Sequence, residues 1–282
     1  MTPLLSLLLA LFQLMTSNDL DHLVAPPPEA RISYGDDALQ FGELRLPEGP
    51  GPHPVAIVIH GGCWLGEFDL SHIGPLAEAL NEEGIAAWVI EYHRVGNPGG
   101  GWPGTFEDIA RGADHLRKIA KGHPLDLDRV IAVGHSAGGH LALWLAARRH
   151  LARDQSLYES DPIALRGVLA LAPAPDLAFL HQEQVCGHVI DGLMGGSPRA
   201  FPERYAAASP VELVPTGTPQ LVVIGQHDSS WAPVGRRYIK AAKSKGADIK
   251  VIEAPESGHF EMIDPSTSTW PLIRAAAAAL VK

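Results

Sequence analysis

Cysteine is scarce in this chain, which has only Cys63 and Cys186 among its 282 residues. The two lie far apart in sequence and neither belongs to a CxxC pair, so the sequence predicts neither a disulfide framework nor a zinc site of that type. The 14 histidines form no HExxH or HxxxH pattern, which excludes the zinc motifs of that kind.

Basic clusters and long hydrophobic runs are missing as well. No run of Lys and Arg is longer than a pair, and the net charge is −10, so a nucleic-acid partner is not expected. The apolar segment 3–15 is too short to span a bilayer, so we expect no stable membrane span. It has the length of a signal-peptide core but lacks a preceding basic residue and a following A-x-A site. Two alternatives stay open: export, or a cytoplasmic protein whose translation starts at Met15.

The remaining composition, with 46% hydrophobic and 19% charged residues, is that of an ordinary globular protein. We predict an apolar leader over 1–15 and a single α/β domain over 16–282, with 176–214 as a cap-like insertion. Strand and helix patterns alternate, which requires crossover connections and therefore a mostly parallel sheet covered on both faces. The predicted strands are 31–35, 39–47, 54–60, 85–92, 129–134, 165–173, 218–225 and 248–255, and the predicted helices are 73–84, 105–122, 136–150, 231–246 and 268–282.

A strained turn around Ser136 is the strongest motif. Gly134-His135-Ser136-Ala137-Gly138 fits G-x-S-x-G directly after a strand and before a helix. In that context the turn lifts the serine hydroxyl out at the end of the sheet, and the glycines avoid clashes there. A serine hydroxyl is a weak nucleophile until a base accepts its proton, so Ser136 needs partners.

Candidate partners follow in the order acid, then histidine. Asp228 comes just past the strand 218–225, and His259 lies in the loop after the last strand. Ligands and catalytic groups of such sheets gather at the carboxyl ends of the strands, so we predict a Ser136–Asp228–His259 triad. Alternative acids are Glu256, Asp264 and Asp176.

The stretch "HGGCW" (60–64) follows the third strand, where an oxyanion-binding loop is expected. We predict that the oxyanion hole consists of the backbone N–H groups of Gly62, Cys63 and Ala137. The tryptophans near these loops are candidates for the wall of a substrate pocket, with core packing as the alternative. They are Trp64, Trp102 and Trp231.

Together, "HGGCW", "GHSAGGHLA", "GQHD" and "SGHF" resemble the α/β-hydrolase family of serine esterases. The likeness runs from about residue 30 to the C-terminus and is to the branch with bacterial carboxylesterases, hormone-sensitive-lipase-like enzymes and kynurenine formamidases. It implies an eight-stranded, mostly parallel sheet, an acyl-enzyme mechanism, and no metal or other cofactor. His135 stands where lipase-like members typically have Asp, and the aromatic Trp64 after the loop is more like formamidases and small esterases.

The expected function is hydrolysis of small carboxylic acid esters. N-formylkynurenine hydrolysis uses the same machinery and stays open as an alternative, while a peptidase or a non-catalytic binding protein is less favoured. The expected partner is a small-molecule ester, and the sequence makes no prediction of the oligomeric state.

Overall fold

Eight strands form one sheet in the computed structural model of this protein, which describes residues 14–282. The strands are β1 (Ala30–Ser33), β2 (Phe41–Arg45), β3 (His53–Ile59), β4 (Ala86–Ile90), β5 (Leu125–His135), β6 (Gly167–Leu171), β7 (Gln220–Gly225) and β8 (Ile249–Ala254). Their order is β1-β2-β4-β3-β5-β6-β7-β8. The pairs β1·β2 and β2·β4 are antiparallel and the remaining pairs are parallel. The predicted mostly parallel eight-stranded sheet is confirmed.

The central strands are built from short runs of apolar, largely β-branched residues. Every residue of β4 and β6 is buried, as expected for strands covered by helices on both faces. By contrast, the four middle residues of the edge strand β8 are exposed or half-buried. The core therefore centres on β3, β4, β5 and β6, and Ser136 directly follows β5.

Ten α-helices connect and cover the strands in the part of the chain that the structure describes. They are α1 (Gly74–Glu82), α2 (Gly104–Asp114), α3 (Leu116–Ile119), α4 (Ala137–Ala147), α5 (Leu177–Gln182), α6 (Val189–Met194), α7 (Pro202–Ala208), α8 (Pro210–Leu213), α9 (Ala232–Ser244) and α10 (Trp270–Leu280). The helix predicted over 105–122 is interrupted at His115, giving α2 and α3. At that break the Asp114 carboxylate accepts hydrogen bonds from Arg148 and from the Ile163 amide.

The segment 176–214 contains four short helices, α5 to α8, of four to seven residues each. Helices this short present no sustained period, which is why the sequence suggested no regular element here. Side chains of α4 hold the segment: His140 Nε2 bonds the Ala208 carbonyl at 2.9 Å and Trp144 Nε1 donates to the Ala207 carbonyl at 3.0 Å. The segment is therefore fixed to the helix that follows the nucleophile.

The predicted leader, 1–15, lies almost entirely outside the described residues. Within residues 14–282, no helix has both the length and the apolar character needed to cross a membrane.

The strand register brings the predicted functional loops to one edge of the sheet. Ile59 at the end of β3 pairs with Gly134 near the end of β5, and Gly225 at the end of β7 pairs with Ala254 at the end of β8. Because these strands are parallel, their carboxyl ends lie side by side. The loops that carry Gly62, Ser136, Asp228 and His259 consequently start from neighbouring points.

Candidate active site

Ser136 occupies a sharp turn between β5 and α4. Its backbone has φ 55° and ψ −117°, a conformation that costs energy for any residue with a Cβ. The flanking glycines are required by close approach: a Cβ on Gly134 would collide with the Gly138 backbone, and a Cβ on Gly138 would collide with the Ile59 carbonyl. The G-x-S-x-G stretch therefore has the strand, turn and helix that a nucleophile elbow needs.

Two loops that follow β7 and β8 are joined through their backbones. The Gln226 amide donates to the Ala254 carbonyl, and the His227 amide donates to the Ser257 carbonyl, both at 2.9 Å. At the end of β7, a Cβ on Gly225 would collide with the Gly258 carbonyl, so glycine permits this contact. These bonds set the distance between the loop of Asp228 and the loop of His259.

Asp228 and His259 form a hydrogen bond of 2.8 Å between Oδ2 and Nδ1. A carboxylate only accepts, so Nδ1 carries the hydrogen and Nε2 keeps its lone pair. The second carboxylate oxygen of Asp228 accepts from the Trp231 amide at 2.9 Å. Asp228 is 6% exposed, and its orientation is therefore fixed by two bonds in a buried position.

The alternative acids have other contacts or lie at the surface. Asp176 accepts from the Phe179 amide at the start of α5 and pairs with Arg237 at 3.1 Å. Asp264 accepts from the Ser266 amide, and Glu256 is exposed. Asp228 is the acid that the structure brings to the imidazole.

Aromatic rings surround the imidazole of His259. The Trp231 ring stacks on it with centroids 5.0 Å apart and planes 18° apart, while Phe260 meets it edge-on at 4.9 Å. Trp231 therefore contacts the candidate base directly. Trp102 is half-buried and packs on Phe106 at 5.5 Å, so part of its surface remains open.

Of the two alternatives left open for Trp64, a pocket wall and core packing, its position favours core packing. Its exposed fraction is 0%, and its ring lies against His140 at 5.3 Å. Among the described residues its indole nitrogen has no hydrogen-bond partner. A side chain with no exposed surface offers nothing to a substrate, and we assign Trp64 to the core instead.

His135 connects the elbow to the loop of the candidate base. Its Nε2 bonds the His259 carbonyl at 2.8 Å, and because a carbonyl only accepts, Nε2 carries the hydrogen. Burial, and secondarily the neighbouring His259, holds the pKa of His135 well below its usual value. The imidazole rings of the two residues are 4.6 Å apart. Within 14–282, no hydrogen bond joins the Ser136 hydroxyl to the His259 ring in this structure, although residues 135 and 259 are in direct contact.

The "HGGCW" loop lies against the nucleophile. A Cβ on Gly61 would stand 3.2 Å from the Cβ of Ser136. Gly62 and Cys63 adopt φ 99° and φ 50°, which turns the loop sharply at the residues predicted to donate. In the described part of the chain the amides of Gly62, Cys63 and Ala137 donate to no protein acceptor, so all three remain available for an oxyanion.

Three buried polar side chains, His60, Glu91 and Arg94, contact one another at the start of this loop. The sequence analysis did not predict this cluster. The Nη1 of Arg94 contacts His60 Nε2 at 3.1 Å and pairs with the Glu91 carboxylate. That carboxylate also accepts from the Leu70 and Tyr92 amides at 3.1 Å and 2.9 Å. Burial, followed by the charge of Arg94, lowers the pKa of His60 to about 3. The available signal was a pair of opposite charges three residues apart at the end of an apolar strand.

The expectation for the two cysteines is wrong. Cys63 and Cys186 form a disulfide, with their Cα atoms 6.0 Å apart. Their separation of 123 residues suggested no pairing, but the fold returns residue 186 to the loop that contains residue 63. Cys63 nevertheless retains the backbone N–H for which it was singled out.

Replacing Asp228 with asparagine is expected to lower kcat about 10⁴-fold, as loss of the orienting carboxylate does in serine hydrolases. An amide in that position no longer selects the tautomer with Nδ1–H and no longer stabilises the imidazolium. Steady-state hydrolysis of p-nitrophenyl butyrate measures the effect, with Asp264→Asn as the matched control expected to keep its activity. If Asp228→Asn stays within a few-fold of the wild type, the acid is Glu256 or Asp264 instead.

Comparisons with known proteins give the family of the chain. A family model described as BD-FAE matches residues 44–234, which is more than half of the chain. A versiconal hemiacetal acetate esterase of Dothistroma septosporum is 30% identical over 54% of this chain and 44% of its own length. A kynurenine formamidase of Danio rerio is 23% identical over 83% of this chain and 75% of its own. The chain spans about half the length of several curated relatives it matches.

Among solved structures, esterase B from Lactobacillus rhamnosis is similar with a TM-score of 0.77 and 20% identity, covering 92% of this chain and 89% of that one. At this level of identity the likeness concerns the fold, and the predicted α/β-hydrolase fold is confirmed. In residues 14–282, no group of three or more His, Cys, Asp or Glu side chains is arranged to hold a metal ion.

Proposed function

The chain belongs to the BD-FAE family, and on that premise we propose that it is a serine hydrolase that cleaves small carboxylic acid esters through an acyl-enzyme intermediate. The observation that carries the proposal is the 2.8 Å bond between Asp228 and His259 Nδ1, made in loops adjacent to the strained Ser136 turn. This bond leaves His259 Nε2 as the basic nitrogen on the ring. It is the arrangement that activates a serine hydroxyl in this class of enzyme.

In the proposed reaction, Ser136 Oγ attacks the acyl carbon while its proton moves to His259 Nε2. The carbonyl oxygen becomes an oxyanion and accepts hydrogen bonds from the amides of Gly62, Cys63 and Ala137. When the intermediate collapses, the carbon–oxygen bond to the alcohol breaks and the alkoxide takes the proton from Nε2. Water then repeats the sequence on the acyl-enzyme, which releases the acid and restores Ser136.

Burial around the nucleophile supports a small substrate. Ser136 is 3% exposed and the His259 side chain 12% exposed, so little of the site faces bulk solvent. A polymeric substrate would require displacement of the surrounding loops, whereas a short acyl group needs only a narrow entry. The names of relatives point in the same direction, since several are called esterases or carboxylic ester hydrolases.

Hydrolysis of N-formylkynurenine is the second candidate. It is favoured by the likeness to the Danio rerio kynurenine formamidase, which extends over 83% of this chain. The same triad and donors serve a formamide, so the substrate pocket decides between the two.

A rate comparison tests both candidates. We expect kcat/KM for p-nitrophenyl acetate or butyrate to exceed that for N-formylkynurenine, and to fall as the acyl chain lengthens because Ser136 is only 3% exposed. A purified sample of Ser136→Ala measures background hydrolysis of the activated esters. A higher kcat/KM for N-formylkynurenine would reverse the order of the two candidates, and no turnover of any of these compounds would reject both.

A further inference from the structure

The Cys63–Cys186 disulfide joins the loop that carries two oxyanion donors to the exposed turn between α5 and α6. Both cysteines are half-buried. The bond therefore joins the loop after β3 to the 176–214 segment through two residues that are partly exposed to solvent. No step of the proposed ester hydrolysis uses the sulfur atoms, so the bond needs another explanation.

The turn on the Cys186 side has little else to hold it over the loop. In the described chain, every hydrogen bond made by residues 183–188 stays within 179–191, such as Val185 amide to Leu180 carbonyl at 3.1 Å. Most of the turn is exposed, and Cys186 itself adopts φ 59°. Val185 packs partly buried against the core, and the covalent bond links the turn directly to Cys63.

The loop on the other side is held at both ends, and the Leu65 amide donates to the Gly62 carbonyl at 2.9 Å across Cys63. At one end, Arg94 contacts His60 Nε2 at 3.1 Å, as described above. At the other, the Val95 amide donates to the Trp64 carbonyl at 2.8 Å and the Gly66 amide donates to the Val95 carbonyl at 2.9 Å. Between them, Cys63 adopts φ 50° and its amide has no protein acceptor among the described residues. Cys63 is packed against the core, and the disulfide adds a covalent attachment through its side chain.

We propose that the Cys63–Cys186 disulfide is a positioning cross-link that aligns the Cys63 amide with the oxyanion, so that kcat depends on the oxidation state of this bond. The proposal rests on the proposed ester hydrolysis. Loss of one oxyanion donor lowers kcat about 10²–10³-fold in a serine protease. Reduction loosens the donor without removing it, so we expect kcat to fall about tenfold, with KM changed less than threefold.

The disulfide is reduced by thiol–disulfide exchange with a dithiol. One thiolate of the dithiol attacks a sulfur of the Cys63–Cys186 bond and forms a mixed disulfide, and the sulfur released takes a proton. The second thiolate closes the dithiol into its own disulfide and releases the other cysteine. The dithiol loses two electrons, and Cys63 and Cys186 both become thiols.

The test compares four samples in p-nitrophenyl butyrate hydrolysis. They are the wild type and the double variant Cys63→Ser/Cys186→Ser, each with and without dithiothreitol; serine retains the amide at residue 63. Thiol alkylation followed by mass spectrometry establishes the state of the bond in each sample. A trifluoromethyl ketone, whose tetrahedral adduct carries an oxyanion, provides an inhibition constant as a second readout.

We expect dithiothreitol to lower kcat of the wild type and weaken trifluoromethyl ketone inhibition in parallel, and to leave the double variant, already slow, unchanged. A purely structural role of the bond would not move kcat and this inhibition together at constant KM. Free thiols in the untreated wild type, full kcat after reduction, or loss traced by circular dichroism to unfolding at the assay temperature would each overturn the proposal. An oxidised enzyme that hydrolyses no ester rejects the proposed function itself, which is a distinct result.

Discussion

Replacing either Ser136 or His259 with alanine is expected to lower kcat by about 10⁴–10⁶-fold, the range found when a member of a serine-hydrolase triad is removed. Without the hydroxyl no acyl-enzyme forms, and without the imidazole the hydroxyl keeps its proton. KM is expected to change little, because the removed groups act on the transition state rather than on substrate binding. Steady-state kinetics with p-nitrophenyl butyrate measure both constants.

His227→Ala is the matched control, since His227 is an exposed histidine adjacent to Asp228. Its activity is expected to stay within a few-fold of the wild type. The double variant Ser136→Ala/His259→Ala is expected to be about as slow as either single variant, because the residues work as one unit. Losses that instead multiply in the double variant would contradict a shared step.

The second large effect concerns stability in mild acid. Four histidines near the site are buried, and in each case burial is the main cause of a lowered pKa. The lowered values are about 3 for His60, about 3 for His72 and about 4 for His140, and His135 shifts in the same direction. These imidazoles stay neutral in the folded protein, while in the unfolded chain they take up protons below pH of about 6.5.

The sign follows from linkage between protonation and folding. Below pH of about 6.5 the unfolded state binds more protons, so the free energy of unfolding falls as the pH falls. Each such group costs about 1.4 kcal/mol per pH unit until the folded pKa is reached. At a pH of about 4.5, His60, His72 and His140 together remove roughly 8 kcal/mol, which is comparable with the whole stability of a typical domain. The stability is fully present above pH of about 6.5.

We therefore expect cooperative unfolding between pH of about 4 and 5. Urea denaturation at a series of pH values, followed by circular dichroism, measures the free energy of unfolding at each. His140→Gln, which keeps a donor for the Ala208 carbonyl but cannot titrate, is expected to flatten the dependence on pH. The exposed His227→Ala is expected to leave it unchanged, and a free energy of unfolding that stays constant from pH 7 to 4.5 would contradict the burial of these groups as neutral imidazoles.

The strands of the sheet could be predicted from the sequence because each one corresponds to a short local run of residues. The runs 54–59 and 85–90 are apolar and rich in β-branched residues, which is typical of a strand buried on both faces. The elbow is local in part: Gly134 is required by its contact with Gly138 inside the motif, while Gly138 is required by the Ile59 carbonyl on the neighbouring strand. Ser136, Asp228 and His259 could be ordered along the sheet because parallel strands end at a common edge.

Features that depend on contacts distant in sequence were missed or misjudged. The disulfide requires residue 186 to return to residue 63, which no local pattern indicates. For Trp64 the sequence left a pocket wall and core packing open, and only the folded structure shows that its indole is fully buried. His135 occupies the variable position of the G-x-S-x-G motif. Its hydrogen bond to the His259 carbonyl joins residues far apart in sequence, so no local pattern indicates it.

Labelling with a fluorophosphonate probe tests most directly whether residues 136, 228 and 259 create a reactive alcohol. Intact-mass spectrometry of the wild type is expected to show one phosphonyl adduct, and peptide mapping is expected to assign it to Ser136. Ser136→Ala is expected to remain unlabelled, and His259→Ala to react far more slowly. A folded wild-type protein that takes up no probe, or takes it up at another residue, would contradict the proposed nucleophile and the chemistry derived from it.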